Sequence, residues 1–177
     1  MCTRQPFFTE TERLILREMT QDDYPDLCRI LQDEKVMYAY EGAMSDGEAK
    51  DWLDRQITRY EKEGVGLNAV ILKESGKMIG QCGLTVQDIP GKKVLEIGYL
   101  FQRNFWHRGY ATEAAKACKE YAFSVLDARE VFSIIRDNNI PSQNVARRNG
   151  MTPKGTFTKH YRGIDMPHII FSVASEK

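Results

Sequence analysis

The sequence predicts a single α/β domain built on a mixed, mostly antiparallel sheet with flanking helices. Three observations point there. Apolar stretches at residues 66–72, 78–86 and 94–101 are linked only by short turns, and successive strands on short turns must run antiparallel. A helix follows, with Ala111, Ala114, Ala115, Cys118, Tyr121, Ala122 and Val125 three and four apart, the period of one apolar face. It separates the third strand from a fourth at residues 131–135, so that pair is expected to be parallel. The 177 residues fit one domain, 1–177, with interior enough for a proper core.

Taken in order, Leu14-Ile15-Leu16 between Arg13 and Arg17 reads as a first strand. Thr20 then caps a helix with Asp22 and Asp23 in its first turn and Tyr24, Leu27, Ile30 and Leu31 on its apolar face. Residues 36–44 show no clean period and read as a loop or short helical turn carrying Tyr38 and Tyr40. Ser45 and Glu48 form a capping box. The helix behind it shows Ala49, Trp52, Leu53, Ile57 and Tyr60, has a solvated charged face, and stops at Gly64. Residues 139–149 form a short helix that Gly150 ends. Residues 151–158 and 168–174 are two closing strands joined through Gly163. The order is βααβββαβαββ, without repeats or linkers.

Composition narrows the function classes. Hydrophobic residues at 42% exclude disorder as the default. Lys+Arg and Asp+Glu are 25 each, and this balance argues against nucleic-acid partners, which need many phosphates neutralised. A local basic patch from Arg103, His107, Arg108, Arg147 and Arg148 is still possible. The 4 cysteines are scattered without a Cys-x-x-Cys pair, which argues against a disulfide framework or zinc site and points to a reducing cytoplasm. The three histidines have no ligand spacing, so no metal is assigned. No apolar run is long enough for a membrane span. Residues 1–6 lack the apolar stretch of a signal peptide.

The run from Phe105 to Ala115 sits on a strand-to-helix turn. A helix start offers unpaired N–H groups and the positive end of the dipole, a natural seat for phosphate. Gly109 permits a positive φ and a close backbone approach, Ala111 is small, and Thr112 adds a hydroxyl. A dinucleotide-type Gly-x-Gly-x-x-Gly turn is absent, since Ala111 and Ala114 stand at its second and third glycines.

The spacing Gly109-x-Ala111 after a strand resembles the acyl-CoA diphosphate loop of the GNAT superfamily of N-acetyltransferases. The run Trp106-His107-Arg108-Gly109-Tyr110-Ala111-Thr112-Glu113-Ala114 is similar to its RimJ/RimL-type branch, which acetylates protein N-termini or other amines. Residues 11–17 with their Asp-led helix, and the second motif Asn139, Ser142, Val145, Arg148, Gly150 and Met151, resemble the same branch. Arg148 and Met151 replace the branch's Lys and Phe. The element order matches the superfamily layout along essentially the whole chain.

The resemblance implies a GNAT-like fold in which the strand ending at Phe101 splays from the strand at Val131. Acetyl-CoA, as co-substrate, would thread its pantetheine through that gap and pair with the backbone of Tyr99, Leu100 and Phe101. The amides of His107, Arg108, Gly109, Tyr110, Ala111 and Thr112 would hold the diphosphate. An N–H near Leu100 would stabilise the oxyanion. Asn139 either caps its helix or also bonds the pantetheine, and Arg148 either reaches a phosphate or is a solvated charge.

Glu96 stands on an otherwise apolar strand, on one face with Gly98 and Leu100. It is the expected general base, the rival being a sheet-edge charge. Many small-molecule acetyltransferases place a Tyr seven residues after the Asn; here that place is Ala146. Ser142 is the substitute, orienting a proton relay or bonding the thiolate, and Tyr161 is a second candidate acid. His160 beside it faces either the acceptor or solvent.

The expected partners are acetyl-CoA and an amine acceptor, either a protein N-terminus or a small molecule. No nucleic acid or membrane partner is expected, and a homodimer is compatible. The competing class is a non-catalytic acyl-CoA-binding regulatory module. It parts from the enzyme in turning over no amine.

Overall fold

The computed structural model describes residues 5–176. Cys2 and residues 1–4 of the leader reading lie outside the described residues. The elements are β1 (Phe8–Glu10), β2 (Leu14–Arg17), α1 (Tyr24–Leu31), α2 (Asp46–Lys62), β3 (Leu67–Leu72), β4 (Lys77–Ile89), β5 (Lys92–Phe101), α3 (Tyr110–Ser124), β6 (Glu130–Arg136), α4 (Ile140–Arg148), β7 (Thr152–Tyr161) and β8 (Ile164–Ala174). One sheet holds all eight strands in the order β1-β2-β3-β4-β5-β6-β8-β7. The expected α/β class and element order hold, with β1 as an addition. Its three residues are too few to show alternation, and pairing with β2 from Phe8↔Arg17 to Glu10↔Ile15 defines it.

Helices cover both faces. On one face α3 lays Ala114, Ala115, Cys118 and Ala122 on Leu84, Ile97 and Phe101. On the other, α1 and α2 bring Leu27, Ile30, Leu31 and Leu53 onto Leu67, Ala69 and Met78. β4 therefore runs buried on both sides from Met78 to Thr85, and a strand so placed loses alternation. Gly83 is required there, since a Cβ would stand 2.1 Å from the Gly66 carbonyl.

Local signals act at the helix starts. Ser45 Oγ accepts the Glu48 N–H at 3.3 Å, and Glu48 Oε2 accepts the Ser45 N–H at 2.8 Å. The Thr20 cap works differently from expectation. A 3-10 turn at Gln21–Asp23 precedes α1, and the Asp23 carboxylate accepts the Thr20 N–H at 2.8 Å. Residues 37–40 form another 3-10 turn, in keeping with a short helical turn.

The splay is present. β5 and β6 pair in parallel at one place, Glu96↔Phe132. Where the next ladder bond would form, side chains take over. Glu96 Oε1 accepts the Ile134 N–H at 3.1 Å, and Ser133 Oγ donates to the Ile97 carbonyl at 2.9 Å. Both buried backbone groups stay satisfied although the strands part.

Candidate active site

The chain leaves β5 through a 3-10 turn at Arg103–Phe105 and enters α3 with Gly109 as N-cap at φ 80°. His107 also has positive φ, 60°; histidine favours that region far less than glycine does, so the sequence marks it only weakly. Two left-handed residues thus flank Arg108. The indole N–H of Trp106 donates to the Phe101 carbonyl at 2.9 Å and ties the loop to the end of β5. The Glu113 N–H bonds the Gly109 carbonyl at 3.0 Å, so the amides of Tyr110, Ala111 and Thr112 form the open first turn.

Side chains around that turn are sorted. The Tyr110 ring is buried beneath the Arg13 guanidinium, 4.5 Å from its centroid; only its amide can serve a ligand. Glu113 turns to β2, where Thr11 Oγ1 at 2.5 Å, the Arg13 amide at 3.0 Å and Arg13 Nε at 2.7 Å donate to it. Burial pushes its pKa up, but these bonds outweigh it and hold it low. Its charge is therefore met by Arg13. An open depression of about 1240 Å³ is lined by His107, Gly109, Thr112, Lys116 and Arg148. Of the expected basic patch, Arg103 pairs with Asp33 at 3.1 Å, and Arg147 lies over the Phe171 ring at 5.3 Å. That leaves His107, Arg108 and Arg148 exposed by the turn.

Alternation along β5 fixes which main-chain groups meet the gap. The Ile97 carbonyl faces β6, so Tyr99 and Phe101 also face that side, and Leu100 joins the β4 ladder opposite Gln81. The amide expected near Leu100 is thus that of Tyr99 or Phe101. The Tyr99 hydroxyl donates to the Ser142 carbonyl at 2.8 Å across the gap. Asn139 caps α4: its Oδ1 accepts the Ser142 N–H at 3.2 Å and the Tyr38 hydroxyl at 2.9 Å. Tyr38 thereby links the segment before α2 to the cap.

A cavity of about 540 Å³ continues from this gap toward α2 and the β7–β8 hairpin; Glu96, Tyr99, Leu100, Asn139, Ser142 and Tyr161 are among its lining residues. Glu96 is at the sheet's centre, which excludes the edge-charge reading. Burial raises its pKa, against Lys159, the Ile134 amide, the Thr85 hydroxyl and Arg59, which pull it down. Tyr161 lies at the rim, 38% exposed. His160 bonds Asp165 at 2.9 Å, and Arg162 Nη2 donates to Glu48 Oε1 at 2.5 Å, pinning the hairpin beside α2. Ala146 is buried in the core.

One expectation is corrected. Trp52, Arg55, Gln56 and Arg59 share a helical stripe, and all four line the cavity, so Arg55 and Arg59 do not belong to a merely solvated face. Trp52 sits between core and cavity, its Nε1 donating to Gln81 Oε1 at 3.0 Å. The missed signal was the i, i+3, i+4, i+7 spacing of these cations with the aromatic. Among the described residues no three His, Cys, Asp or Glu side chains are grouped as a metal site.

The fold thus places a parted parallel strand pair with a helix N-terminus at its mouth. The acetyltransferase (GNAT) domain family matches residues 13–152. The chain belongs to that family and is an N-acetyltransferase. It is 35% identical over 150 residues to the uncharacterized protein YkkB of Bacillus subtilis, covering 84% of this chain and 87% of that one. The GNAT acetyltransferase of Bacillus anthracis superposes with a TM-score of 0.82 at 22% identity, covering 97% of this chain and all 100% of the other. RimL, a ribosomal L7/L12 α-N-protein acetyltransferase solved with coenzyme A, gives 0.78 at 18% identity, covering 95% and 98%.

Proposed function

We propose that residues 1–177 act as one domain that transfers acetyl from acetyl-CoA to a primary amine by direct attack in a ternary complex. The observation that carries this is the position of Glu96, at the point where the β5–β6 gap opens into the 540 Å³ cavity. A thioester in the gap and an amine in the cavity would meet beside one carboxylate. The amides at His107–Thr112 hold the diphosphate, helped by Arg108 and Arg148. The main chain of Tyr99–Phe101 pairs with the pantetheine, as an added strand would, and Asn139 contributes its amide.

The neutral amine attacks the thioester carbonyl. The Tyr99 or Phe101 N–H donates a hydrogen bond to the developing oxyanion, and Glu96 takes the amine proton directly or through water. Collapse breaks the C–S bond. The Ser142 hydroxyl bonds the departing thiolate or orients its proton source; Tyr161 is the alternative donor. The motif resemblances at residues 106–114 and 139–151 support placing the chain with the RimJ/RimL-type branch. The acceptor is then a protein N-terminus or a small amine. The scattered placing of the 4 cysteines along the sequence is the support for a reducing cytoplasm. Among the described residues no helix is long and apolar enough to cross a membrane.

The test is thiol release from acetyl-CoA with a panel of amines and N-terminal peptides, repeated for Glu96→Gln and Ser142→Ala. Turnover that both substitutions lower supports the reading. Turnover unchanged by both removes the residue assignments, and coenzyme binding without any amine turnover makes the chain a binding module.

A further inference from the structure

The formal net charge of the chain is +0, but the acceptor cavity is not neutral. Arg55 and Arg59 enter it from α2, Arg136 from β6 and Lys159 from β7, whereas Glu96 is the carboxylate on its lining. Arg136 is neutralised by its ion pair with Glu41. Arg59 has only a 4.0 Å contact with Glu63, at the limit of an ion pair. Arg55 lies over the Trp52 ring at 5.7 Å and Lys159 over the Phe157 ring at 5.8 Å, arrangements that leave a cation's charge uncancelled. Arg59 and Lys159 are near enough to act on the Glu96 carboxylate. His160, at the rim, is bonded to Asp165, and burial lowers the pKa of His168.

We propose that the acceptor is a primary amine that carries a carboxylate, and that Arg55 and Arg59 bind that carboxylate. This rests on the acetyl-transfer reading and narrows its substrate class. Guanidinium forks match a carboxylate in charge and geometry. The same field disfavours a protonated amine, so it favours the neutral, attacking form beside Glu96. A polyamine or aminoglycoside would bring several cations against Arg55, Arg59 and Lys159. The carboxylate belongs either to a free amino acid or to an acidic residue at a peptide N-terminus. The 540 Å³ volume lies in the range of small-molecule pockets, and the rim at Tyr161 is exposed.

The test uses the full chain and thiol release from acetyl-CoA with matched acceptors: L-glutamate against its diamide, an Asp-first peptide amide against its Asn-first twin, and spermidine. Amidation lowers the basicity of a neighbouring amine, so intrinsic reactivity favours the glutamate diamide, and preference for the acid must come from the protein. The expected kcat/KM ratio of acid to amide is about tenfold or more. In the Arg55→Gln/Arg59→Gln variant it falls toward one through acceptor KM, with the KM for acetyl-CoA unchanged. The pair of acids that shows the effect tells free amino acid from peptide. A ratio near or below one, spermidine as the better acceptor, or a ratio that survives in the variant overturns the proposal and leaves acetyl transfer standing. Acetyl-CoA binding by calorimetry with no amine turned over overturns acetyl transfer and this proposal together.

Discussion

The Glu96 carboxylate accepts the Ile134 N–H at 3.1 Å, at the position where β5 and β6 stop pairing. One side chain thus occupies the place of a ladder bond and is also the proposed general base. Glu96→Gln keeps an oxygen for Ile134 and removes the proposed base. We expect kcat to fall about 10²-fold or more with the KM for acetyl-CoA little changed. Glu96→Ala also strands the Ile134 N–H, at a cost of about 1–3 kcal/mol, and lowers Tm. Steady-state thiol release and thermal melts separate the two effects; full activity in Glu96→Gln would remove the base assignment.

The pH dependence follows from burial. Glu96 is held above the ordinary carboxylate value of 4.5, so activity rises with pH through a pKa above that value, and this limb disappears in Glu96→Gln. A folded-state pKa above the unfolded one means that protonation favours the fold. That contribution is present below the unfolded pKa and is lost as pH rises through the folded one. Glu96→Gln should therefore melt above the parent at neutral pH, with the gap closing in acid. A variant that melts lower at neutral pH would contradict the burial account.

Gly109 sits at φ 80°, where an added Cβ would come within 3.5 Å of Arg13 Nη2, an ordinary contact. Gly109→Ala is thus a backbone test: left-handed geometry costs about 1–2 kcal/mol. The expected result is a raised KM for acetyl-CoA with kcat at saturation nearly retained. A variant with unchanged coenzyme KM would detach the loop from diphosphate binding.

Asp23 shows the opposite linkage. Burial raises its pKa, but the two 2.8 Å bonds from Arg17 and the Thr20 amide outweigh it and hold the carboxyl below its ordinary 3.8. This stabilisation is present above the unfolded pKa and is lost as pH falls through the folded one. Asp23→Asn should cost about 1–3 kcal/mol near neutrality, and the Tm difference should shrink as pH drops below 3.8. Melts across acid pH check it.

Most of the fold was legible because its signals are local. The Ser45–Glu48 box, Gly150 after α4 and the small-residue face of α3 each act within a few residues. The β1 strand was not, since Phe8–Glu10 is defined only by its partner. The left-handed turn at Gly109 could be read from glycine, but the one at His107 could not. Glu96 stood out as a charge on an apolar strand, but its bond to Ile134 depends on where two distant strands part. Arg55 and Arg59 looked like ordinary surface charge, because only the tertiary placement of α2 turns that stripe to the cavity.

The proposed reaction requires the open first turn of α3 to hold a diphosphate. A calorimetric titration compares acetyl-CoA with the acetyl thioester of N-acetylcysteamine, which has the reacting carbonyl without the phosphates. Saturable one-to-one binding of acetyl-CoA, with the truncated thioester far weaker, is the predicted result. No heat with acetyl-CoA, or equal affinity for the two thioesters, would contradict it.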